Sequence, residues 1–343
     1  MDSFLSLPRE ERRQALRAAS DKSGRPLHLL EKDVWVVWTL NALFTSPFGQ
    51  DLAFKGGTSL SKAYGMIRRF SEDVDLTYDI HRLLPGDLLA KIEAGSFDPL
   101  PASGSQQQKI TRHIRQSLPD WVEGSVRPQL EQALAAERLA AAVRVEEDKL
   151  FIAYEPLEGG TGYVAPRVML EFGARSSGEP SMVRHVTCDA AAHLGMLRFP
   201  EARPRVMMVE RTFWEKATAI HVYCLQQRLR GGRFARHWHD LARLHAHGVM
   251  IEALRRRDIA AAVAQHKEWF FAEKDAARNI IDYRAAVVGQ ISLVPAENAL
   301  EALRLDYDAM VADGLLLDDS ETFDDLMATC ARIEAQLNQR SGD

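Results

Sequence analysis

The sequence has few cysteines and no long apolar run. Its three cysteines, Cys188, Cys224 and Cys330, are odd in number and far apart, so they predict neither a disulfide framework nor a zinc motif. No apolar run is long enough to span a membrane, and the N-terminal residues lack the apolar core of a signal peptide. We therefore expect a reduced, cytoplasmic protein.

Net charge is small, at −5 for 343 residues, but it is unevenly distributed. Residues 201–260 contain 12 lysines and arginines against 6 acidic residues, whereas residues 311–343 contain 2 basic residues against 8 acidic ones. A basic segment can receive phosphates, although solvated helix faces give the same counts and are the more frequent explanation. Charge alone therefore leaves nucleic-acid binding open.

Predicted strands are concentrated in the first half of the chain, and the second half is predicted to be helical. This order predicts an α+β fold, with a domain over residues 1–200 that holds a small mixed sheet and a C-terminal helical domain over residues 201–343. The patterns predict strands at 51–54, 74–78, 150–154, 167–172 and 182–187, and helices at 26–44, 58–64, over most of 83–144 including 129–142, and from 212 onward. A break in the helical insert is expected at Pro119.

A glycine turn joins the first predicted strand to a helix at Gly56-Gly57-Thr58. Glycines let the backbone approach a ligand closely, and a helix N-terminus offers free N–H groups to phosphate. A turn of this kind is weak evidence by itself, and it is not a Walker P-loop because the GxxxxGK[ST] spacing is missing.

Two carboxylates, Asp73 and Asp75, flank Val74 on the next predicted strand. Side chains two residues apart share one face of a strand, so both carboxylates point the same way. Two such groups repel each other unless a cation lies between them, and their hard oxygen atoms suit magnesium. The simpler explanation for an isolated pair is a solvated strand end.

The glycine turn and the paired aspartates together resemble the signature of the polymerase-β-like nucleotidyltransferases. That resemblance implies a triphosphate held at Gly56, Gly57 and Thr58, with Mg²⁺ bound by Asp73 and Asp75. In this superfamily a third carboxylate on a nearby strand completes the metal site. Glu171, in an otherwise apolar strand, is the candidate, because an unpaired carboxylate is costly to bury there. Pairing with Arg167 or Arg175 is the alternative.

Three segments narrow the resemblance to the AbiEii-type nucleotidyltransferase toxins, which include the MenT toxins. They are residues 55–58 with 69–75, residues 210–221 and residues 236–241. The resemblance implies that Lys216 and Asp240 belong to the active site. Ser71 matches a serine in the family motif, and it either touches phosphate or only caps the strand turn.

The residues themselves leave alternatives open at each of these positions, and for Lys216 the alternative is an exposed lysine on a helix. Thr212 and Glu215 fit a capping box, which would start a helix near Lys216 and place that lysine where it favours an anion. Asp240 either orients Lys216, binds the nucleotide, or forms a salt bridge within its helix. Arg69 either binds phosphate or pairs with an acidic neighbour.

The resemblance implies transfer of a nucleotide from an NTP to the 3′ end of tRNA, which blocks translation, with relief by a separately encoded antitoxin. An acceptor that is a protein or a small molecule is one alternative. A non-catalytic nucleotide-binding module is another, against which the presence of Asp73, Asp75, Lys216 and Asp240 argues. A structural α+β protein with fortuitous motifs is the third.

Overall fold

The structure is a computed structural model of the chain. It describes residues 2–69, 71, 73–86, 104–159, 164–174, 176–227, 229, 232–312, 316 and 321–339. The chain divides into two compact units. We call them the sheet unit (residues 1–63 and 72–206) and the helical unit (residues 64–71 and 207–343).

A mixed seven-stranded sheet forms the centre of the sheet unit, in the order β4-β5-β6-β3-β2-β11-β7. Strand β3 is central: it runs antiparallel to β2 and parallel to β6. The strands are β2 (Leu52–Lys55), β3 (Asp73–Tyr78), β4 (Ala141–Glu146), β5 (Lys149–Tyr154), β6 (Arg167–Gly173), β7 (Ser181–Val183) and β11 (Arg205–Met207). Two small ladders pair β1 (Asp2–Ser3) with β9 (Leu197–Arg198), and β8 (Val186–Thr187) with β10 (Glu201–Ala202).

Helices pack around this sheet. The helices are α1 (Arg9–Ser23), α2 (Leu27–Phe44), α3 (Gly56–Lys62), α4 (Gly104–Trp121) and α5 (Arg127–Ala136). Most of α2 is buried, including the charged side chains of Glu31, Lys32 and Asp33, and the helix predicted at 26–44 is confirmed. The predicted strands at 51–54, 74–78, 150–154 and 167–172 are also confirmed, with small changes at their ends.

Part of the predicted helical insert is wrong. The helix predicted at 129–142 ends at Ala136, and β4 follows it. All six residues of β4 pair with β5, so a complete hydrogen-bonded ladder overrides the helical propensity of the alanines. Pro119 lies inside α4 instead of breaking it, and a π-helix at Val122–Val126 follows. Residues 87–103 of the insert lie outside the described residues.

The predicted strand at 182–187 is also wrong as a single element, because β7 and β8 divide it between two sheets.

The described part of the helical unit contains helices and irregular segments. Its helices are α6 (Val209–Gln226), α7 (Ala235–Ala246), α8 (Val249–Arg255), α9 (Arg257–Phe270), α10 (Tyr283–Val287), α11 (Glu297–Ala312) and α12 (Phe323–Asn338). Helix α6 begins at Val209, and its N-cap Met208 makes no side-chain cap, so the capping box predicted at Thr212 is wrong. Lys216 is therefore the eighth residue of α6, too far from its N-terminus for the helix dipole to matter.

The predicted α+β class is confirmed by this arrangement of a mixed sheet and many helices. Among the described residues, no helix is both long enough and apolar enough to cross a membrane.

Candidate active site

The two aspartates of β3 lie on one face of the central strand. Asp73 and Asp75 are half-buried, whereas Val74 and Leu76, which alternate with them, are fully buried. The alternation follows from the two-residue period of a strand, and it fixes β3 in register because a slip by one residue would bury both carboxylates. The sheet thus holds two acidic groups side by side at a place where a ligand can reach them.

Glu171 lies beside Asp75 in the sheet. The two residues are register partners in the parallel β3–β6 pair, and Lys149 on β5 is the next partner across. The side chain of Glu171 is 48% exposed, and its Oε2 lies 3.5 Å from the Nζ of Lys149. Among the described residues no ion pair joins Glu171 to Arg167, and Arg175 lies outside the described residues. Glu171 as the third metal ligand stays a prediction.

Gly56 occupies a position that only glycine fits. Its φ is +77°, a left-handed conformation that other residues rarely adopt. A Cβ atom added there would overlap the carboxylate of Asp75 and come within 2.7 Å of its Cγ. The backbone of the glycine turn therefore lies directly against one of the two aspartates.

Thr58 connects the start of α3 to β3. It is buried, and its hydroxyl donates a hydrogen bond to the carbonyl oxygen of Asp73. At the other end of α3, Lys62 forms ion pairs with Asp33 at 2.5 Å and with Asp189 at 2.7 Å. These contacts fix the turn relative to the strand. Contact of Gly56, Gly57 and Thr58 with phosphate stays a prediction.

The aspartate pair fits a divalent metal in donor chemistry. Among the described residues, no group of three or more His, Cys, Asp or Glu side chains is arranged to hold a metal ion. Magnesium, however, is commonly bound by one or two carboxylates together with substrate phosphates and water. Asp73 and Asp75 satisfy that requirement without a third acidic ligand.

A second group of charged residues lies within the helical unit, on α6, α7 and the segment 64–71. Asp240 is fully buried, and both of its carboxylate oxygens are engaged. Arg69 donates to them at 2.6 Å through Nε and at 2.8 Å through Nη2, and the Nζ of Lys216 lies 2.7 Å from Oδ2. We call Arg69, Lys216 and Asp240 the buried triad.

The opposite charges of the triad stabilise one another. Burial alone would raise the pKa of Asp240, but the charges and hydrogen bonds of Arg69 and Lys216 lower it overall. Desolvation lowers the pKa of Lys216, although the charge of Asp240 opposes it. With Asp240 ionised, one carboxylate balances two cations, so the triad keeps a positive charge that can attract an anion.

These contacts identify the protein partners of Asp240 and Arg69, while their contact with the nucleotide stays a prediction. Asp240 orients Lys216, and its salt bridge is not with Arg243, which pairs instead with Glu321 at 2.9 Å. Arg69 pairs with an acidic partner, Asp240. Ser71 is half-buried, and its contact with phosphate stays a prediction.

Sequence reasoning missed the closeness of Gly56 to Asp75 and the pairing of Arg69 with Asp240. The glycine turn, 19 residues before Asp75, was a sequence signal for the close approach of Gly56. The pairing of Arg69 with Asp240 joins residues 171 positions apart, and no sequence signal indicated it.

Paired carboxylates against a glycine turn define a class of protein, the enzymes that bind a metal–nucleotide complex. The profile of one family, described as "Nucleotidyl transferase AbiEii toxin, Type IV TA system", matches residues 38–329. The chain belongs to the AbiEii family. It is therefore a nucleotidyltransferase of the toxin class found in type IV toxin–antitoxin systems, which implies an NTP substrate and an antitoxin partner.

Solved structures show only a distant likeness. MenT4, the nucleotidyltransferase toxin Rv2826c of Mycobacterium tuberculosis H37Rv, is 17% identical, with 98% of this chain and 100% of that chain covered and a TM-score of 0.41. JHP933 of Helicobacter pylori is 14% identical, with 91% and 92% covered and the same TM-score. No curated protein is detectably similar in sequence. The family assignment therefore rests on the sequence profile.

Proposed function

We propose that the protein uses Mg²⁺, held by Asp73 and Asp75, to transfer a nucleotide from an NTP to the 3′ end of a tRNA, and that this transfer blocks translation. The observation that supports it most is the fit of Gly56 against the carboxylate of Asp75. A backbone that approaches a metal-binding carboxylate so closely suits a substrate whose phosphates share the metal with the protein.

Each site residue has a proposed role. Gly56, Gly57 and Thr58 present the turn to the triphosphate, and Ser71 contributes a hydroxyl. Lys216 and Arg69 provide positive charge for phosphate, while Asp240 positions both of them. Glu171 is the third metal ligand, a role that requires it to leave Lys149.

The reaction is a displacement at phosphorus. The 3′-oxygen of the RNA attacks the α-phosphorus of the NTP, and its bond to phosphorus forms as the bond to the bridging oxygen of the β-phosphate breaks. Pyrophosphate leaves, and the hydroxyl proton passes to water. When bound, the metal supplies Lewis acidity at the reacting oxygens and offsets the charge of the leaving group. The chain's own contribution is orientation and charge.

The test is incubation of purified protein with MgCl₂, each α-labelled NTP in turn and total tRNA, for wild type and Asp73→Ala. We expect label in tRNA with wild type and one NTP, and none with the variant or with EDTA. Label in polypeptide bands would replace tRNA with a protein acceptor. Absence of label together with absence of NTP binding would overturn the assignment of Asp73 and Asp75 to the metal.

The setting follows from this activity. A toxin that acts on tRNA works in the cytoplasm, and its antitoxin is expected to be encoded separately. Expression should arrest growth with wild type and not with Asp73→Ala. The basic segment 201–260 offers positive charge for an RNA backbone. An unchanged reaction rate in the presence or absence of RNA would favour a small-molecule acceptor.

A further inference from the structure

A groove of about 820 Å³ opens in the helical unit. The end of α6, the start of α7 and the irregular segment 272–278 line it. Its principal side chains are Tyr223, Gln226, Phe234, Glu273, Lys274 and Arg278. The volume is within the range of small-molecule binding sites, and it exceeds what a few bridging waters would need. No residue of the predicted site lines this groove.

One side of the groove is aromatic. Tyr223 and Phe234 are half-buried, and their ring centroids lie 4.9 Å apart with an interplanar angle of 86°. Tyr223 also packs against His237 of α7, with 5.8 Å between ring centroids. Partly exposed rings held by their neighbours provide flat surfaces on which a base can stack, as in single-strand recognition.

The opposite rim carries two carboxylates, Glu273 and Asp275, and two cations, Lys274 and Arg278. The carboxylate of Glu273 accepts a hydrogen bond from Gln226 Nε2 at 3.0 Å. Asp275 accepts from the backbone and side chain of Asn279, so its carboxylate stabilises its own turn. Lys274 and Arg278 are exposed, and the structure records no ion pair for either within the part of the chain that it describes.

The buried triad and the groove both involve α6 and α7. Lys216 and Tyr223 are seven residues apart on α6, which places them on one face about 10 Å apart. Arg236 precedes Asp240 by one turn of α7 and is half-buried. It forms no ion pair among the described residues, yet its charge acts on both Lys216 and Tyr223. Arg236 thus brings positive charge close to the aromatic wall, where the carboxylate of Glu273 opposes it.

We propose that this groove binds single-stranded nucleotides of the RNA acceptor, with a base against Tyr223 and Phe234 and phosphates at Arg236, Lys274 and Arg278. The assignment rests on the proposed function for its choice of RNA. Aromatic surfaces together with exposed cations are the general means of holding a single strand. An NTP is the poorer fit, because its metal needs available carboxylates, and those of Glu273 and Asp275 are engaged.

Direct RNA binding tests the groove without the reaction. Fluorescence anisotropy would follow a fluorescein-labelled single-stranded RNA of about eight nucleotides, without metal or NTP. We expect Tyr223→Leu to weaken binding about tenfold and the conservative Tyr223→Phe to keep it. The double variant Lys274→Gln/Arg278→Gln should flatten the plot of log affinity against log salt by about 1.4, because two cations leave the interface.

The matched control removes the same number of charges elsewhere in the helical unit. Arg255→Gln/Arg284→Gln changes two exposed arginines that pair with Glu252 and Glu268 and lie away from the groove. Its RNA affinity and salt slope should stay at wild-type values. Because Lys274 and Arg278 are exposed, their double variant keeps the test valid even if Tyr223→Leu unfolds.

The outcomes separate this inference from the proposed function. Weaker RNA binding in the groove variants alone supports the groove, whether or not nucleotide transfer is found. Wild-type RNA binding in both Tyr223→Leu and Lys274→Gln/Arg278→Gln overturns it, even if tRNA is labelled. A raised KM for the NTP with unchanged RNA binding also overturns it and assigns the groove to the donor.

Discussion

The two units use carboxylates in opposite ways. In the sheet unit, Asp73 and Asp75 are half-buried, and the turn beside them lacks a side chain at Gly56. In the helical unit, Asp240 is sealed from solvent and its oxygens are already bonded to Arg69 and Lys216. A ligand can approach the aspartates of the sheet unit, whereas both carboxylate oxygens of Asp240 are already bonded to protein groups.

From this difference we expect Asp73 and Asp75 to bind a ligand, whereas Asp240 holds Arg69 and Lys216 in place. Two carboxylates on one strand face repel each other, and a bound cation relieves that repulsion, which is a reason to expect a metal. A buried carboxylate between two cations is stable only while all partners are present, because removing one leaves an uncompensated charge. Substitution of Asp73 or Asp75 should therefore affect activity, whereas substitution of Asp240 should affect stability.

The largest effect is expected at the aspartate pair. Asp73→Asn and Asp75→Asn should each lower the rate of nucleotide transfer by on the order of 10³-fold, because a metal site with one neutral ligand loses several kcal/mol of charge stabilisation. Thermal unfolding should change little, since relief of the repulsion offsets lost contacts. The measurement is label transfer under single-turnover conditions beside a melting curve.

Glu146→Gln, at the exposed end of β4, is the control and should keep wild-type activity. If the aspartate variants unfolded without a specific loss of nucleotide transfer, the expectation that Asp73 and Asp75 serve activity and not stability would be contradicted.

Asp240→Asn should lower the free energy of unfolding by about 3–5 kcal/mol, because Arg69 and Lys216 would remain buried without their counter-charge. Denaturant titration of the full chain measures it. The matched control is Asp258→Asn, which removes an exposed partner of Arg256 and should change stability little. A stable Asp240→Asn protein that has lost transfer would instead show that Asp240 touches the substrate.

Another buried carboxylate, Glu31, extends the comparison to the pH dependence of stability. Burial raises the pKa of Glu31 from its ordinary 4.5 to about 7, although the backbone N–H of Leu157 donates to it. A raised pKa in the folded state stabilises the protein fully below pH 4.5, and that contribution is lost as pH rises to about 7. The loss is about 3 kcal/mol by linkage.

Glu31→Gln keeps an acceptor for the amide of Leu157 but cannot ionise. Stability curves between pH 4.5 and 8 should therefore fall for wild type and lack this component in the variant. Glu155→Gln, an exposed substitution in the same unit, should follow wild type. Parallel curves for wild type and Glu31→Gln would contradict the assignment.

The smallest effect concerns glycine. Gly56→Ala should lower nucleotide transfer by on the order of 10²-fold, because its methyl group would displace the carboxylate of Asp75. Gly24→Ala is a matched control: Gly24 also has a positive φ, +73°, but nothing lies within 4 Å of its added Cβ. It should lose about 1–2 kcal/mol of stability and no activity. Equal activity losses in both variants would remove the steric explanation.

Much of the sheet unit's framework could be predicted from local pattern. The apolar helix at 26–44 and the alternation in β3 depend on periods that the chain carries in itself. The edge strand β4 could not, because its alanine-rich approach is helical by propensity and only pairing with β5 makes it extended. The predicted start of α6 was also wrong, because a Thr and a Glu at the spacing of a capping box do not by themselves form a cap.

The candidate site residues also differ in whether local sequence or tertiary packing defines them. The sequence by itself determined which residues are the candidates for the chemistry, because Gly56, Asp73 and Asp75 lie within 20 residues of one another and a strand's period sets the common face of the two aspartates. Only the tertiary structure decided that Asp240 faces Arg69 and Lys216, and that Tyr223 and Arg278 share a groove. Burial and ion pairing between distant segments depend on packing, which no local pattern encodes.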